Sequence, residues 1–396
     1  MPDPHGTLYK VIDRLAAKLQ DFWATQGRRR LGPADVGPFK ASICQIVTDA
    51  VQARQPIHEQ SLASIHKSAG HYSKGRYWSA PYGYKIHIQR SYDGLISLGY
   101  IEERKRGVYT DYARLLTRYR ATSRLLDLFD DRLGEWLSFV APPRANQETI
   151  RLNLRQPDGY KILVDYVDNE RTLQMRASMA LINKCLSRCW ADLELDERQM
   201  NVLRRRMISK RADLASLNDG DGILRLQDRT LYRVFNDRSF STNGRLYGGW
   251  WQSIPREYRR HILINGKRTV ELDYSGLHPN LIYTLGGKEL DGDPYTLLIS
   301  EQHGPDFRSL VKKAFNAMIN ADHELARAPR GINNGDYGLS WTELKAAIKE
   351  RHAPVADQFF SAIGSRLQHI DSEVAVGVLT HFAEMGVAVL PVHDSF

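Results

Sequence analysis

Two short apolar runs, each closing on an aspartate, constrain this chain more than any other feature. KRTVELDYS (267–275) leads through Val270 and Leu272 to Asp273, and VAVLPVHDSF (387–396) carries Asp394 at its end. A carboxylate at the end of a core strand is held rigidly, with its head at the strand edge. Each aspartate alone has a second reading, as the N-cap of a following helix. As a pair they suit a metal site, because Mg²⁺ is a hard cation that takes carboxylate oxygens. A two-metal site needs carboxylates converging from neighbouring strands, so that the ions stand about 3.5–4 Å apart.

Between the two runs, DFRSLVKKAFNAMINA (306–321) has helical spacing. Arg308, Lys312, Phe315 and Ile319 fall on one face of that helix. Two cations and an aromatic on one face suit a nucleoside triphosphate, the cations meeting phosphates and the apolar surface meeting the base. The other reading is an ordinary amphipathic helix whose basic residues are solvated.

The 396 residues are enough for two or three domains. Lys and Arg outnumber Asp and Glu by 55 to 46, a formal charge of +9 that points to a polyanionic partner. Cys44, Cys185 and Cys189 are too few, and odd in number, for a disulfide scaffold. Cys185 and Cys189, one helical turn apart with no second pair of ligands nearby, make a poor zinc site. No run reaches the ~18 apolar residues of a membrane span, and the N-terminus lacks the apolar core of a signal peptide. A soluble, monomeric protein of the bacterial cytosol is expected, with a phage or plasmid as one source.

Apolar spacing predicts helices over 7–25 and 39–55, separated by the basic break at Arg28, Arg29 and Arg30. KIHIQRSYDGLISLGY (85–100) reads as a helix ending at Gly99. IEERKRG (101–107) and LLTRYRAT (115–122) then read as two strands around a basic turn. Helices followed by such a hairpin resemble a winged helix-turn-helix module over 36–125. Its wing would set Arg104, Lys105 and Arg106 over nucleic-acid phosphates. A small helical domain with a solvated hairpin, or a protein-binding module, would carry the same pattern. APPRANQ (141–147) is expected to be a domain break, and SLNDGDG (216–222) a loop after two helical stretches.

Taken in order, segments within 236–396 resemble the family A nucleic-acid polymerases, which include the DNA polymerase I group and the phage-type single-subunit RNA polymerases. Thr242-Asn243-Gly244-Arg245-Leu246 with Trp251-Gln252-Ser253-Ile254-Pro255 resembles the family's TGRL…LQNIP element, with one inserted residue. Asp273-Tyr274-Ser275-Gly276-Leu277-His278 resembles motif A. Asp293-Pro294-Tyr295-Thr296 resembles a downstream aspartate turn, Arg308 to Lys312 the RxxxK of the fingers helix, and His393-Asp394-Ser395 motif C.

The resemblance implies a role for each matched residue. Asp273 and Asp394 would be the catalytic metal-binding pair, with the Tyr274 carbonyl completing a metal's shell. Two Mg²⁺ ions, or Mn²⁺ in their place, would be the cofactor. Arg308 and Lys312 would bind the incoming dNTP or NTP, with His278 and Asn316 beside it, and Lys312 would protonate pyrophosphate. Arg245 would read minor-groove acceptors at the primer end. Gln252 and His393 would help to place that end on a DNA template–primer duplex.

Two departures matter. His278 stands where the family's DNA polymerases have Glu, which leaves sugar choice open. Asn320 stands where a Tyr would stack on the template base. The Tyr after Gly244-Arg245-Leu246, the Ser-Gly of motif A and HDSF lean toward the RNA branch, while DYS and the LQNIP-like element lean toward the DNA branch.

The expected fold is α+β: a right-hand polymerase with palm, fingers and a partial thumb, preceded by a mostly helical winged-helix-like domain. The expected divisions are an N-terminal helix (1–35), the winged-helix segment (36–125), a helical linker or thumb-like region (126–235) and palm with fingers (236–396). The chain is expected to end within motif C, and no proofreading exonuclease signature stands out before residue 236. The expected function is a DNA-directed DNA polymerase. The alternatives are a single-subunit RNA polymerase, a primase-like enzyme or a non-catalytic DNA-binding initiator.

Overall fold

The computed structural model describes residues 4–53, 62–65, 75–77, 85–109, 114–129, 148–157, 159, 161–213, 224, 226, 228–304 and 306–396. The chain begins α1 (Pro4–Thr25), α2 (Pro33–Ala53), β1 (Ala63–Ile65), α3 (Lys85–Ser97), β2 (Ile101–Lys105), β3 (Val108–Tyr109), β4 (Arg114–Leu115), β5 (Thr117–Ala121) and α4 (Ser123–Leu126). It continues with β6 (Ile150–Arg155), β7 (Lys161–Leu163), α5 (Glu170–Arg188), β8 (Ala191–Leu193), α6 (Glu197–Asp213), β9 (Tyr232–Phe235) and β10 (Asn243–Tyr247). Then come α7 (Arg256–Arg259), β11 (Ile262–Ile264), β12 (Lys267–Arg268), α8 (Leu277–Leu285), α9 (Phe307–Asn320), α10 (Trp341–Arg351) and α11 (Gly364–Glu384).

The protein is a mixed α/β chain in two compact units. One is Met1–Thr149 with Leu186–Thr230 and Gly248–Thr269; the other is Ile150–Cys185 with Leu231–Tyr247 and Val270–Phe396. Among the described residues no helix is long and apolar enough to cross a membrane. The expected break at 141–147 and loop at 216–222 lie outside the described residues.

In the first unit, α1 buries Leu8, Ile12, Leu15 and Leu19 at helical spacing, in one core with α2 and α3. The first helix therefore belongs to the same body as those that follow. α3 stops because Gly99 takes a left-handed φ of 72°. That turn lets Tyr100 N–H reach the Leu95 carbonyl and Gly99 N–H the Ile96 carbonyl, both at 2.9 Å. The chain reverses there into β2, in an antiparallel sheet of order β1-β5-β2. Glu102 lies opposite Arg120 and pairs with it, and also stands 3.6 Å from Arg104. Arg104, Lys105 and Arg106 are exposed.

The second unit holds a four-stranded sheet of order β10-β9-β6-β7, with β6 and β9 parallel and the other pairs antiparallel. α11 packs along β10. α9 buries Phe307, Leu310, Val311, Ala314, Phe315, Met318 and Ile319 and exposes Arg308, Lys312 and Lys313. α10 starts with a reciprocal cap: Ser340 Oγ accepts from Glu343 N–H, and the Glu343 carboxylate accepts from Ser340 N–H.

Two expectations are corrected here. The run 267–275 is a strand only at Lys267–Arg268, and Val270 and Leu272 are 78% and 69% exposed rather than in a core. Residues 387–391 form no strand. An apolar run becomes a strand only where a neighbour takes its N–H and C=O groups. Beyond Arg268 such pairing resumes at Leu272, which exchanges both backbone hydrogen bonds with Phe396, at 2.9 and 2.8 Å. Phe315 and Ile319 also do not share an open face with Arg308 and Lys312. Helical angle aligns all four, but core packing covers the C-terminal half of α9, so the aromatic is not offered to a base.

Candidate active site

The two aspartates are brought together by backbone pairing. Val392 and Ser395 exchange hydrogen bonds, 2.8 Å in one direction and 3.1 Å in the other, closing a turn with His393 and Asp394 at its tip. His393 takes the left-handed φ of 58° that such two-residue turns demand. Asp273 forms an antiparallel bridge with Ser395, the neighbour of Asp394. Tyr274 N–H points at the Asp394 carbonyl at 3.4 Å, and the Tyr274 and Phe396 rings meet edge-on at 6.2 Å. Asp273 is exposed and Asp394 half-buried. Gly276, at a φ of 62°, lets this segment close on the next turn: a Cβ there would stand 3.0 Å from Pro294 Cγ.

That next turn carries a cationic face. Arg308 on α9 grips Asp293 with two N–H groups, Nε to Oδ2 at 2.7 Å and Nη2 to Oδ1 at 2.8 Å. Thr296 Oγ1 also donates to Asp293. The Arg308 hydrogen bond leads the causes that hold the Asp293 carboxyl below its ordinary value. The guanidinium of Arg308 and the ammonium of Lys312 lie 5.1 and 5.8 Å from the Tyr295 ring centre. Burial pushes the Tyr295 hydroxyl up to about 12; Arg308 opposes this, while the charges of Asp293 and Asp394 add to it. Tyr295 thus lies within electrostatic reach of both the cations and the turn of Asp394. Asn316 follows Lys312 by one helical turn and is half-buried.

The turn is braced from behind by His352. Its Nε2 stands 2.9 Å from the Pro294 carbonyl, which can only accept, so Nε2 carries the proton and Nδ1 receives the Tyr283 hydroxyl at 3.2 Å. Burial leads the causes that lower the His352 pKa from its ordinary value. The unfolded chain therefore takes up a proton first, and stability is expected to fall as pH drops below about 6.5. Thermal unfolding followed from pH 7.5 to pH 5 should show this loss, with a shallower slope in His352→Gln. Equal slopes would remove His352 as the cause.

β10 brings a third group of residues. Gly244 and Leu246 face inward, while Asn243, Arg245 and Tyr247 share the other face. Tyr247 meets the His393 ring edge-on at 6.3 Å. Arg245 donates from Nε to Asp371 Oδ2 at 2.9 Å and also from Nη2. His278 Nε2 stands 3.6 Å from the same oxygen and 3.4 Å from Arg245 Nη2. Burial of Asp371 opposes its charge, but the His278 hydrogen bond and the Arg245 guanidinium outweigh burial and hold its carboxyl below the ordinary value.

Of the residues expected at a site, Asp273, Tyr274, Asp394, His393, Arg308, Lys312, His278 and Arg245 all fall in the second unit. Gln252 falls in the first, where its side chain accepts from Gly249 N–H and closes a short turn over buried Trp250 and Trp251. Arg104, Lys105 and Arg106 are also in the first unit. The sequence reading missed Asp371. Its signal was an acid on an apolar helical stripe, Leu367, Asp371, Ala375 and Leu379. It also gave no role to Tyr247 or Tyr295.

For Mg²⁺ the donors are of the right kind: two carboxylates on paired segments and a nearby backbone carbonyl, all hard oxygens. Among the described residues no group of three or more His, Cys, Asp or Glu side chains is gathered around one point. Comparison with protein-family models, with curated proteins and with solved structures gave no match.

Proposed function

We propose that the chain is a template-directed nucleotidyltransferase, most nearly a DNA-directed DNA polymerase of the family A type. The observation that carries this reading is the pairing of Leu272 with Phe396, which sets Asp273 beside the turn that presents Asp394. Asp273, Asp394 and the Tyr274 carbonyl would hold two Mg²⁺ ions, which when bound activate an attacking hydroxyl and neutralise the transferring phosphate. Arg308 and Lys312 bind the triphosphate, and Lys312 Nζ gives a proton to the leaving pyrophosphate. Two of the five N–H donors of Arg308 are engaged by Asp293. Triphosphate therefore competes with, or adds to, an existing carboxylate contact. His393 and Arg245 bear on the primer end.

The test is extension of a labelled primer on a DNA template, with dNTPs and NTPs in parallel reactions. Template-dependent growth supports the reading, and the sugar incorporated separates the DNA from the RNA branch. Growth on primer-free template points to a primase-like enzyme. Absence of incorporation alongside tight duplex binding overturns the reading in favour of a non-catalytic binder.

That second reading draws on the first unit, where α1 to α3 and the β1-β5-β2 sheet support a winged-helix module with Arg104, Lys105 and Arg106 as its wing. Replacing all three by Ala should lower the slope of log affinity against log salt by about 2 to 3, since each phosphate contact contributes about 0.9. An unchanged slope removes the wing from the nucleic-acid surface.

A further inference from the structure

We propose that Asp371 is a positioning residue of the nucleotide-addition site, acting through Arg245 and His278; this rests on the polymerase reading above. Asp371 lies on the inward stripe of α11 and its side chain is 1% exposed. A carboxylate is costly there unless it is paired. Anchoring β10 to α11 does not require it, because other contacts already do so. Asn243 donates to Gln368 at 3.0 Å, and Ser372 Oγ donates to the Asn243 carbonyl at 3.2 Å. Buried Arg233 joins the Gly244 carbonyl to Ser372 and Glu373.

What Asp371 adds is a shared partner for two groups that reach the surface. The side chains of Arg245 and His278 are 20% and 16% exposed. Arg245 is on the strand face that ends at Tyr247, whose ring meets His393 beside Asp394. His278 is the second residue of α8 and follows Asp273 by five residues. One buried carboxylate thereby ties the strand arriving at one metal-binding aspartate to the helix leaving the other. It fixes which N–H groups of Arg245 remain for the primer end and where the His278 ring stands relative to the incoming nucleotide.

The experiment measures single-nucleotide addition to a primer–template by wild-type protein, Asp371→Asn, Arg245→Gln and the double variant, each assayed well below its unfolding temperature. Asp371→Asn should lower kcat/KM by about 100-fold, the scale of an ångström's misplacement of a reacting group. The double variant should lose less than the product of the two single losses, because both substitutions remove the Arg245–Asp371 interaction. Asp371→Glu should recover part of the loss. If Asp371→Asn does not fold, Asp371→Leu with Arg245→Met and His278→Leu removes all three groups without stranding a charge, and it should match Arg245→Met with His278→Leu.

The failures are distinguishable. Wild-type protein that adds no nucleotide overturns the polymerase reading and this proposal with it. Active wild-type protein with an equally active Asp371→Asn overturns only the role of Asp371. Losses that multiply fully in the double variant also overturn it, since Asp371 then does not act through Arg245 at all.

Discussion

Asp394→Asn is expected to lower nucleotide addition by about three orders of magnitude, on the order of 4 kcal/mol of transition-state stabilisation, with little change in fold. The turn that presents Asp394 is closed by backbone bonds between Val392 and Ser395 and does not use its side chain. Asparagine is a favoured turn residue and nearly the same shape, so unfolding should stay within about 1 kcal/mol of wild type. Primer–template affinity should also be close to unchanged, because in the proposed mechanism the lost oxygen would hold a metal and not a phosphate. Asp273→Asn should behave in the same way. Retention of more than a tenth of wild-type activity in saturating Mg²⁺ by either variant would sink the two-carboxylate mechanism.

Phe315→Ala separates two roles for one residue. The ring is buried and lies 5.0, 5.4 and 5.9 Å from His352, Phe359 and Tyr295. Its removal opens a cavity and is expected to cost about 3–5 kcal/mol, which lowers the unfolding temperature of the second unit by roughly 10 °C. Assayed below that temperature, the variant should keep the wild-type KM for nucleotide, since Phe315 is not on the surface that Arg308 and Lys312 share. A raised KM with unchanged stability would instead place the ring against the base, as helical angle alone suggests.

The contrast between Lys312 and Phe315 shows where sequence patterns stop. They are only about 60° apart around α9, and periodicity cannot say how far along a helix its covering partners extend. Helix α3, its stop at Gly99 and the hairpin after it were legible, because each is decided by neighbours in sequence. The two aspartates were legible as a pair through chemistry, and the structure adds the register that sets them side by side. Val270 and Leu272 read as core because an apolar strand pattern does not reveal whether anything lies over it. The Arg245–Asp371 tie was invisible for a simpler reason: it joins residues far apart in the chain, and nothing local marks them as partners. Only the odd acid on an apolar stripe hinted at it.

The alternation along β10 has a consequence for how this site tolerates change. Asn243 and Gly244 both adopt left-handed angles, and the ladder with β9 shifts register between Asn243 and Arg245. A Cβ at Gly244 would stand 2.6 Å from the Phe235 ring and 2.9 Å from Arg233 Nη2. The irregularity is therefore pinned by a missing methyl group, and it decides which way Arg245 and Tyr247 face. A slip of one residue would turn both inward and bring Gly244 and Leu246 out. A substitution at 244, a position with no chemistry of its own, would re-aim Arg245 and Tyr247 together.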